Sequence, residues 1–331
     1  MRVLITGATG FIGSNVAKKL IEAGFEVNAL IRKSSNRLNI KGLPLKIFYG
    51  DLKDKESLEK AVKGCKGLFH VAAAYSFWSP DPDEFYKINV EGTKNVIQAA
   101  ISAGVEKIVY TSSESTIKNS NNGKLADEGE MCELSELTGD YKKSKLLAER
   151  KVMEFCKCGY PVVIVNPTTP IGPGDVKPTP TGRIVLDFLN KKMPAYVNTG
   201  LNIIDVEDVA CGHLLAFEKG KIGQRYILGN KNLTLKQIFE IIADIANIKP
   251  PEVRIPLWLA AAAAYINEFV AGKILKKQPA VPVAAVKTAY KFRYFDCSKA
   301  VSQLGLPQTP VKVAFEKSIK WFKENGYVKN R

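Results

Sequence analysis

The amino-acid sequence predicts an α/β fold in which helices cover both faces of a doubly wound parallel sheet, followed by a smaller mixed α/β lobe. Two observations predict this fold. Apolar, β-rich runs alternate with amphipathic helical patterns through the first half of the chain, and this alternation loosens after Val165. The chain has 331 residues, of which 46% are hydrophobic, so it holds enough apolar material for a large core and a second lobe.

The predicted strands are six short apolar runs: Val3–Thr6, Val27–Ile31, Lys46–Tyr49, Leu68–Val71, Ile108–Thr111 and Val162–Val165. The predicted helices between them are Ser14–Ala23, Glu56–Val62, Glu84–Ala103 and Tyr141–Cys158. A connection from one strand through a helix to a parallel strand is right-handed, so the helices come to lie on the faces of the sheet. We therefore predict a first domain over residues 1–166.

A long loop rich in Pro, Gly and Thr follows the last of these strands. Asn166–Gly182 contains five prolines, and ordered loops of this length in compact domains are often functional. Beyond it, short strands and helices mix and end in the amphipathic Val311–Gly326. We predict a substrate-binding lobe over residues 167–331, within which residues 201–231 either stay or return to the main sheet.

The net charge of +15 arises from 48 basic and 33 acidic residues. A phosphate-bearing cofactor, an anionic substrate or an anionic membrane surface can each use such a charge. The lysines are spread along the chain, however, and no basic run is interleaved with aromatic residues, so nucleic-acid binding is not expected. A solvated lysine-rich surface is the simplest explanation, and the charge alone selects no function.

Cysteine and histidine usage argues against disulfides and metal sites. The six cysteines are scattered, and His70 and His213 are the two histidines, so reduced thiols and no metal are expected.

No stretch approaches the roughly 20 apolar residues that span a bilayer. The nearest stretch, Leu257–Val270, is interrupted by Asn267 and Glu268. The opening residues lack the pattern of a secretory signal. We expect a cytoplasmic protein without a transmembrane segment.

A glycine-rich turn follows the first predicted strand and opens the first helix. Gly7, Gly10 and Gly13 stand where the chain must turn sharply and where the backbone has to approach a pyrophosphate. The helix N-terminus then presents free N–H groups and a partial positive charge to the phosphates. This context predicts a dinucleotide-binding turn in a fold of the Rossmann type. The remaining predicted contacts in the turn are Thr9, Phe11 and Ile12.

Basic residues at the end of the second strand bear on the choice of cofactor. An Asp or Glu here would bind the 2′-hydroxyl of NAD and repel a 2′-phosphate, whereas Arg32 attracts the phosphate and can bind it through two hydrogen bonds. Lys33 adds a second positive charge. We therefore predict NADP, with NAD as the alternative. After the fourth strand, the small Ala72 and Ala73 let the backbone pass close to the cofactor. His70, just before them, is expected to be packed and hydrogen-bonded rather than catalytic.

The sharpest motif is Tyr-x-x-x-Lys, with Tyr141 and Lys145 on one face of a predicted helix. An ordinary phenol has a pKa near about 10, too high for acid–base catalysis at neutral pH. The lysine ammonium and the nicotinamide cation are expected to favour the phenolate and to lower the pKa of Tyr141. Lys145 can also hydrogen-bond the nicotinamide ribose. The motif predicts Tyr141 as the acid–base group of a hydride transfer.

Hydroxyl side chains end the fifth strand, at Ser112 and Ser113. Side chains at the carboxyl end of a parallel strand face the crevice in which ligands bind. A hydroxyl there can hydrogen-bond a substrate oxygen and stabilise charge on it. Glu114 follows and is either a solvated side chain or an acid that serves elimination.

The glycine spacing G-x-x-G-x-x-G, the Tyr-x-x-x-Lys helix and the serine pair before it resemble the extended short-chain dehydrogenase/reductase (NAD-dependent epimerase/dehydratase) family. The resemblance implies that Ser113, Tyr141 and Lys145 are catalytic, with Ser113 favoured over Ser112. It also implies a homodimer that pairs the two long predicted helices, Glu84–Ala103 and Tyr141–Cys158. The further cofactor contacts that it implies are Asp51, Leu52, Asn89, Pro167 and Thr168.

Four stretches narrow the resemblance to one subgroup of this family: Phe69–Ala73, Asn166–Pro173, Lys177–Arg183 and Ala195–Asn202. They are similar to the bacterial hopanoid-associated sugar epimerases, which themselves resemble dihydroflavonol 4-reductases. This similarity implies a role in hopanoid biosynthesis and a sugar-like or polyol substrate, free or lipid-linked, beneath the Pro-rich loop. The substrate contacts that it implies are Ser113, Glu114, Tyr75, Thr181, Arg183 and Tyr196. The Ala-rich Trp258–Val270 is either a packed helix or a contact with a lipid-linked substrate or a membrane face.

Several reactions fit these residues. A reductase or dehydrogenase passes hydride between NADP(H) and a carbonyl or alcohol, whereas an epimerase oxidises an alcohol transiently and reduces it again. A sugar-nucleotide dehydratase would use Glu114, and a redox sensor would bind NADP without catalysis. The intact Ser113, Tyr141 and Lys145 argue for an enzyme. Arg32 favours net reduction because cells keep NADPH reduced. We predict oxidoreductase or epimerase chemistry and leave the choice between them open.

Overall fold

The computed structural model describes residues 1–119, 124–274, 277, 279 and 282–328. Its strands are β1 (Arg2–Thr6), β2 (Glu26–Ile31), β3 (Leu45–Tyr49), β4 (Gly67–His70), β5 (Lys107–Thr111), β6 (Val162–Pro167), β7 (Thr169–Ile171), β8 (Ala195–Tyr196), β9 (Gly200–Asp205), β10 (Arg225–Leu228), β11 (Lys231–Thr234) and β12 (Val253–Arg254). Its helices are α1 (Phe11–Glu22), α2 (Lys55–Val62), α3 (Asp83–Tyr86), α4 (Thr93–Ser102), α5 (Asp140–Lys157), α6 (Pro180–Leu189), α7 (Val206–Lys219), α8 (Leu235–Ala246), α9 (Leu257–Asn267), α10 (Val283–Ala289) and α11 (Val311–Glu324). Segments with π-helical hydrogen bonding are Lys87–Gly92, Glu268–Ile274 and Ala300–Leu304.

Within the described residues, the main sheet has seven parallel strands in the order β10-β6-β5-β4-β1-β2-β3. The predicted Rossmann-type fold is confirmed, and the six predicted strands differ from the observed ones by one or two residues at their ends. The strand order reverses between β1 and β4, where Thr6 lies opposite His70. A ligand crevice is expected at the carboxyl ends of the strands at this switch point.

Helices pack on both faces of the sheet because each strand alternates its apolar side chains between the faces. On one face, α1 and α7 pack together, with Leu20 and Phe217 in their shared core. On the other face, α2, α4 and α5 bury Leu58, Val96 and Val152 against the strands. These two apolar layers fix the carboxyl ends of the strands, from which the glycine turn and the serine pair project.

The predicted helix Glu84–Ala103 is not continuous. It consists of α3, the π-helical segment Lys87–Gly92 and α4, an arrangement that a 3.6-residue hydrophobic pattern does not reveal. Gly92 packs closely against Leu52, which precedes α2. A Cβ added to Gly92 would lie 2.9 Å from the Leu52 Cβ. Asn89, within the π-helical segment, is buried.

The remaining elements form a second apolar core. A small sheet with strand order β11-β9-β7 packs with α6, α8 and α11 around Phe188 and Phe239, whose ring centroids are 5.6 Å apart. Residues 201–231 are divided between the two cores. Strand β9 belongs to the small sheet, whereas α7 packs on α1 and β10 is the edge strand of the main sheet.

A buried ion pair ties α5 to the edge strand β10. One carboxylate oxygen of Glu149, which is fully buried on α5, lies 2.6 Å from the Arg225 Nε. The other oxygen accepts hydrogen bonds from Ser112, from Thr116 at 2.6 Å and from Asn166 at 3.0 Å. The network therefore holds the carboxyl ends of β5 and β6 against α5.

Removing Glu149 should destabilise the protein strongly. Glu149→Ala leaves the Arg225 guanidinium buried without its counter-charge, which we expect to lower the free energy of unfolding by about 3–5 kcal/mol. Urea unfolding followed by circular dichroism, without added ligands, measures the loss. Glu154→Ala is the control, since it removes an exposed partner of Lys151 on the same helix, and it should cost less than about 0.5 kcal/mol. Equal losses for the two variants would contradict this role.

Candidate active site

A cavity of about 1340 Å³ opens at the switch point between β1 and β4. Its wall combines the start of α1, the ends of β2, β3 and β5, and the Pro-rich loop. The predicted site residues that line it are Gly7, Thr9, Gly10, Phe11, Ile12, Gly13, Arg32, Asp51, Leu52, Ala72, Ala73, Tyr75, Ser113, Glu114, Tyr141, Lys145, Pro167, Thr168 and Thr181. The fold thus brings residues from both halves of the chain to one cavity.

The fold does not bring Lys33, Asn89, Arg183 and Tyr196 to this wall. Lys33 and Arg183 are exposed. Tyr196 packs edge-on against Phe239 in the second core, with 6.4 Å between the ring centroids. Asn89 is buried behind the wall. Similarity in sequence identifies the element on which a residue lies, but it does not show the direction of its side chain.

The glycine turn leaves no room for side chains. Gly7 has a φ of +78°, and a Cβ there would lie 2.6 Å from the Ala72 backbone nitrogen. A Cβ on Gly13 would lie 2.1 Å from the Gly7 carbonyl oxygen. Helix α1 starts at Phe11 with, among the described residues, no side-chain cap and no acidic residue in its first turn. Its first N–H groups therefore lack intrahelical partners, and the turn fits the pyrophosphate of a dinucleotide.

The end of β2 adds a polar pocket beside this turn. Arg32 lines the cavity and is exposed. Side chains beside it that sequence analysis did not single out are Ser34, Ser35, Asn36 and Asn39. Positive charge with several hydrogen-bonding groups is what a 2′-phosphate requires. Asp51 also lines the cavity, and it does not cap α2, because Asp54 does so through the Ser57 N–H.

The Pro-rich loop is fastened across the cavity. The Asn39 side chain donates to the Gly174 carbonyl oxygen at 2.6 Å. The buried Asp175 accepts hydrogen bonds from the Thr179 N–H and hydroxyl. Burial raises the pKa of Asp175 to about 6, although these hydrogen bonds act to lower it. The loop is therefore held by its own side-chain contacts and by the segment that follows β2.

The Lys145 side chain is hydrogen-bonded to the end of β5. Its ammonium donates to the Thr111 carbonyl oxygen at 2.8 Å and to the Tyr110 hydroxyl at 3.1 Å. Burial lowers the pKa of Lys145 to about 8, while the Glu149 carboxylate acts to raise it. Sequence analysis missed Tyr110, because it occupies an ordinary apolar position of a buried strand.

The Tyr141 phenol lies in the cavity wall among other aromatic rings. Its ring centroid is 4.8 Å from that of Tyr75 and 6.4 Å from that of Phe85. Burial raises the pKa of Tyr141, and the facing Ser113 hydroxyl lowers it only in part. Burial is thus the largest influence on this phenol, and the expected lowering of its pKa by Lys145 together with the nicotinamide cation stays a prediction.

The two serines at the end of β5 have different surroundings. Ser112 donates its hydroxyl to the buried Glu149. Ser113 caps the 3₁₀ turn Glu114–Thr116, and its Oγ accepts from the Ser115 N–H at 3.1 Å and from the Ser115 hydroxyl at 2.9 Å. Because both of these bonds use Ser113 as the acceptor, its own O–H can still donate into the cavity.

Glu114 is held by an arginine from the C-terminal part of the chain. Two guanidinium nitrogens of Arg293 donate to the Glu114 carboxylate, Nε at 2.8 Å, and Arg293 also donates to the Glu114 carbonyl oxygen at 2.8 Å. The two side chains are only 10% and 19% exposed. The Glu114 carboxylate is therefore already occupied as the acceptor of charge-assisted hydrogen bonds from one guanidinium group. Sequence analysis missed the pair because 179 residues separate its members.

Asn89 and His70 support the site from behind. The Asn89 side chain accepts from a main-chain N–H just after β4 at 2.8 Å and donates to the Ser144 hydroxyl at 2.9 Å. It therefore links the end of β4 to α5. His70 is fully buried between the hydroxyls of Thr6 and Thr93, at 2.7 and 2.9 Å. As expected, His70 is packed and hydrogen-bonded.

The end of the cavity next to the second core is mostly apolar. Its wall there includes Phe77, Trp78, Ile184, Val197, Leu201, Leu235, Ala260, Val286 and Ala289. Two cations at this end are already bonded: Lys142 to the Thr288 hydroxyl at 2.6 Å, and Arg293 to Glu114. This end of the cavity suits an apolar group of a ligand.

The described residues provide no evident metal site and no membrane span. Among them, no three His, Cys, Asp or Glu side chains are grouped so that they could hold a metal ion. No helix in the same part of the chain is both long and apolar enough to cross a bilayer.

Comparisons with known proteins agree with this geometry. Residues 3–229 match the model of the NAD dependent epimerase/dehydratase family. A putative dihydroflavonol 4-reductase of Synechocystis sp. is 46% identical over 99% of this chain and 96% of its own length. Sterol demethylase protein B of Methylococcus capsulatus is 31% identical over 99% of this chain and 100% of its own length. The crystal structure of a nucleoside-diphosphate-sugar epimerase from Pseudomonas aeruginosa is 26% identical and superimposes with a TM-score of 0.83 over 99% of each chain.

Proposed function

Because the chain belongs to the NAD-dependent epimerase/dehydratase family and is an extended short-chain dehydrogenase/reductase, we propose that it transfers hydride between NADP(H) and a hydroxyl or carbonyl group of a sugar-like or polyol substrate. One observation carries the proposal. The Tyr141 phenol and the Ser113 hydroxyl face each other in the same cavity that the glycine turn opens. A cofactor seated on that turn reaches towards both groups.

The cofactor site is built from this chain's own residues. The N–H groups at the start of α1 would bind the pyrophosphate, and Arg32 would bind the 2′-phosphate. Asp51 and Leu52 would hold the adenine part, and Pro167 and Thr168 would contact the nicotinamide part. When bound, the nicotinamide supplies or accepts the hydride. NAD is the alternative cofactor, and it would leave Arg32 without its phosphate partner.

The acid–base assignment rests on the position of Tyr141 and Ser113 in the wall of one cavity. Ser113 and Tyr141 hydrogen-bond the substrate oxygen. Because burial raises the pKa of this phenol, the hydroxyl keeps its proton at neutral pH and gives it to the oxygen of a carbonyl that is being reduced. The Lys145 ammonium, which is bonded to Tyr110 and to the end of β5, adds positive charge to the same cavity wall, and this charge would stabilise the phenolate that remains.

Dehydration is the less favoured chemistry at this site. An elimination needs a carboxyl group that can exchange a proton, and Glu114 is bound by Arg293 through its carboxylate and its carbonyl oxygen. Epimerisation uses the same Ser113 and Tyr141 and differs in whether the cofactor is released after each turnover. The apolar end of the cavity supports a substrate whose reacting hydroxyl group is attached to an apolar, lipid-linked remainder. A homodimer through α4 and α5 stays a prediction.

Cofactor exchange separates a reductase from an epimerase. We expect the purified full-length chain to be free of dinucleotide and to exchange added NADPH rapidly, because a net reductase must release NADP after each turnover. Mass spectrometry of the denatured protein and stopped-flow NADPH fluorescence measure the two quantities. One tightly bound dinucleotide per chain, retained through gel filtration, would contradict the reductase and support the epimerase. Failure to bind either NADP(H) or NAD(H) would refute both.

A further inference from the structure

Helix α9 is part of the cavity wall and also faces solvent. Its inner side carries Ala260, which lines the cavity, and Ala264, which is fully buried. Its outer side is apolar as well. We call this outer side, with its π-helical continuation, the α9 face. The exposed residues that define the α9 face are Trp258, Leu259, Tyr265, Ile266, Phe269, Val270 and Ile274.

The α9 face is unusual for a surface in water. Helix α9 contains no charged residue, and Trp258 and Ile266 are each 68% exposed. Trp258, Tyr265 and Phe269 recur at helical spacing, so they share one side of the helix. A helix that is apolar all round normally lies inside a protein or a membrane. A contiguous apolar patch of large side chains therefore marks a surface that is covered by a partner.

A basic stretch of the sequence carries the α9 face. The Lys287 ammonium, on α10, lies 5.6 Å from the centroid of the Tyr265 ring. Residues 249–291 contain seven basic and two acidic residues. One of the two acids, Glu268, accepts a hydrogen bond from the Val283 N–H at 2.7 Å and thereby holds α10 in place. An apolar helix face with an adjacent cation, within a basic stretch of sequence, is typical of a helix that lies in the interface of an anionic bilayer.

We propose that the α9 face docks on the surface of an anionic lipid bilayer and brings the apolar end of the cavity next to the membrane. With 11 residues, α9 is too short to span a bilayer and lies in the plane of the interface. Ala260 and Val286 connect the face with the cavity wall. A second copy of the chain fits less well, because a twofold contact would bring two basic stretches of the same charge together. The idea that docking delivers an apolar substrate to the cavity rests on the proposed function. The docking on the bilayer does not depend on it.

Flotation with lipid vesicles tests the docking, without cofactor or substrate. The full-length protein is mixed at low salt with vesicles of phosphatidylcholine alone, or with about one-third phosphatidylglycerol. We expect binding to the anionic vesicles to exceed binding to the neutral ones at least about tenfold, and to fall as salt screens the charges. Phe269→Ser should weaken binding by at least about tenfold, and Lys287→Gln by roughly fivefold.

The control is Ile222→Ser, which removes a side chain that is 54% exposed on a turn before β10 and should bind vesicles as the unchanged protein does. Tyr141→Phe should also bind them normally, so a failure of the proposed reaction would leave this result intact. Absence of binding to anionic vesicles would overturn the proposal. So would equal losses in Phe269→Ser and Ile222→Ser, or a dimer in solution that Phe269→Ser separates while vesicle binding is absent.

Discussion

Tyr141→Phe is expected to lower kcat by about a thousandfold and to leave NADPH binding unchanged. The substitution removes the one atom, Oη, that gives the proton to the substrate oxygen, and it keeps the ring that packs against Tyr75 and Phe85. The hydride is then transferred to a carbonyl that no acid protonates.

Steady-state kinetics with NADPH and a panel of sugar, polyol and isoprenoid carbonyl compounds measure the effect, and NADPH fluorescence titration measures cofactor affinity. Tyr75→Phe is the matched control, since it deletes a neighbouring phenol oxygen in the same cavity, and it should lower kcat less than about tenfold. Full turnover by Tyr141→Phe would show that another group moves the proton.

Arg32→Asp is expected to weaken NADPH binding by about a hundredfold and to turn the preference towards NADH. The guanidinium provides the positive charge for the 2′-phosphate, and an aspartate in its place repels that phosphate and accepts a hydrogen bond from the free 2′-hydroxyl of NADH instead. Isothermal titration calorimetry with both reduced cofactors measures the change in each affinity.

Lys33→Asp is the matched control for charge. It makes the same change in net charge one residue further on, but Lys33 is exposed and lies outside the cavity wall. Its NADPH affinity should fall less than about fivefold, as expected of a screened charge. If the two variants lost affinity equally, the specific role of Arg32 would have to be abandoned in favour of a general electrostatic one.

Sequence alone was sufficient for the features that depend on local pattern. The strands β1 to β6 are mostly apolar runs, and Gly7 and Gly13 stand where the backbone allows no Cβ. The expectation that His70 is packed was confirmed for the same reason: it lies within a buried strand.

Contacts between distant segments could not be predicted in this way. The bonds from Arg293 to Glu114 join residues that are 179 positions apart, and no local pattern marks them. The π-helical segment Lys87–Gly92 changes the direction of the Asn89 side chain. The spacing of apolar residues in the sequence does not reveal this segment. Lys145 shares a helix face with Tyr141, yet its ammonium binds Tyr110 and the β5 backbone. The groups that Lys145 binds were therefore not predicted.

The crystal structure of the complex with NADP tests the central claim most directly, namely that the Tyr141 phenol acts beside a nicotinamide held from the glycine turn. We predict the pyrophosphate at the start of α1, the 2′-phosphate at Arg32, and the nicotinamide ring at the cavity wall formed by Ser113 and Tyr141. A dinucleotide bound with its nicotinamide ring remote from the Tyr141 hydroxyl would contradict the account.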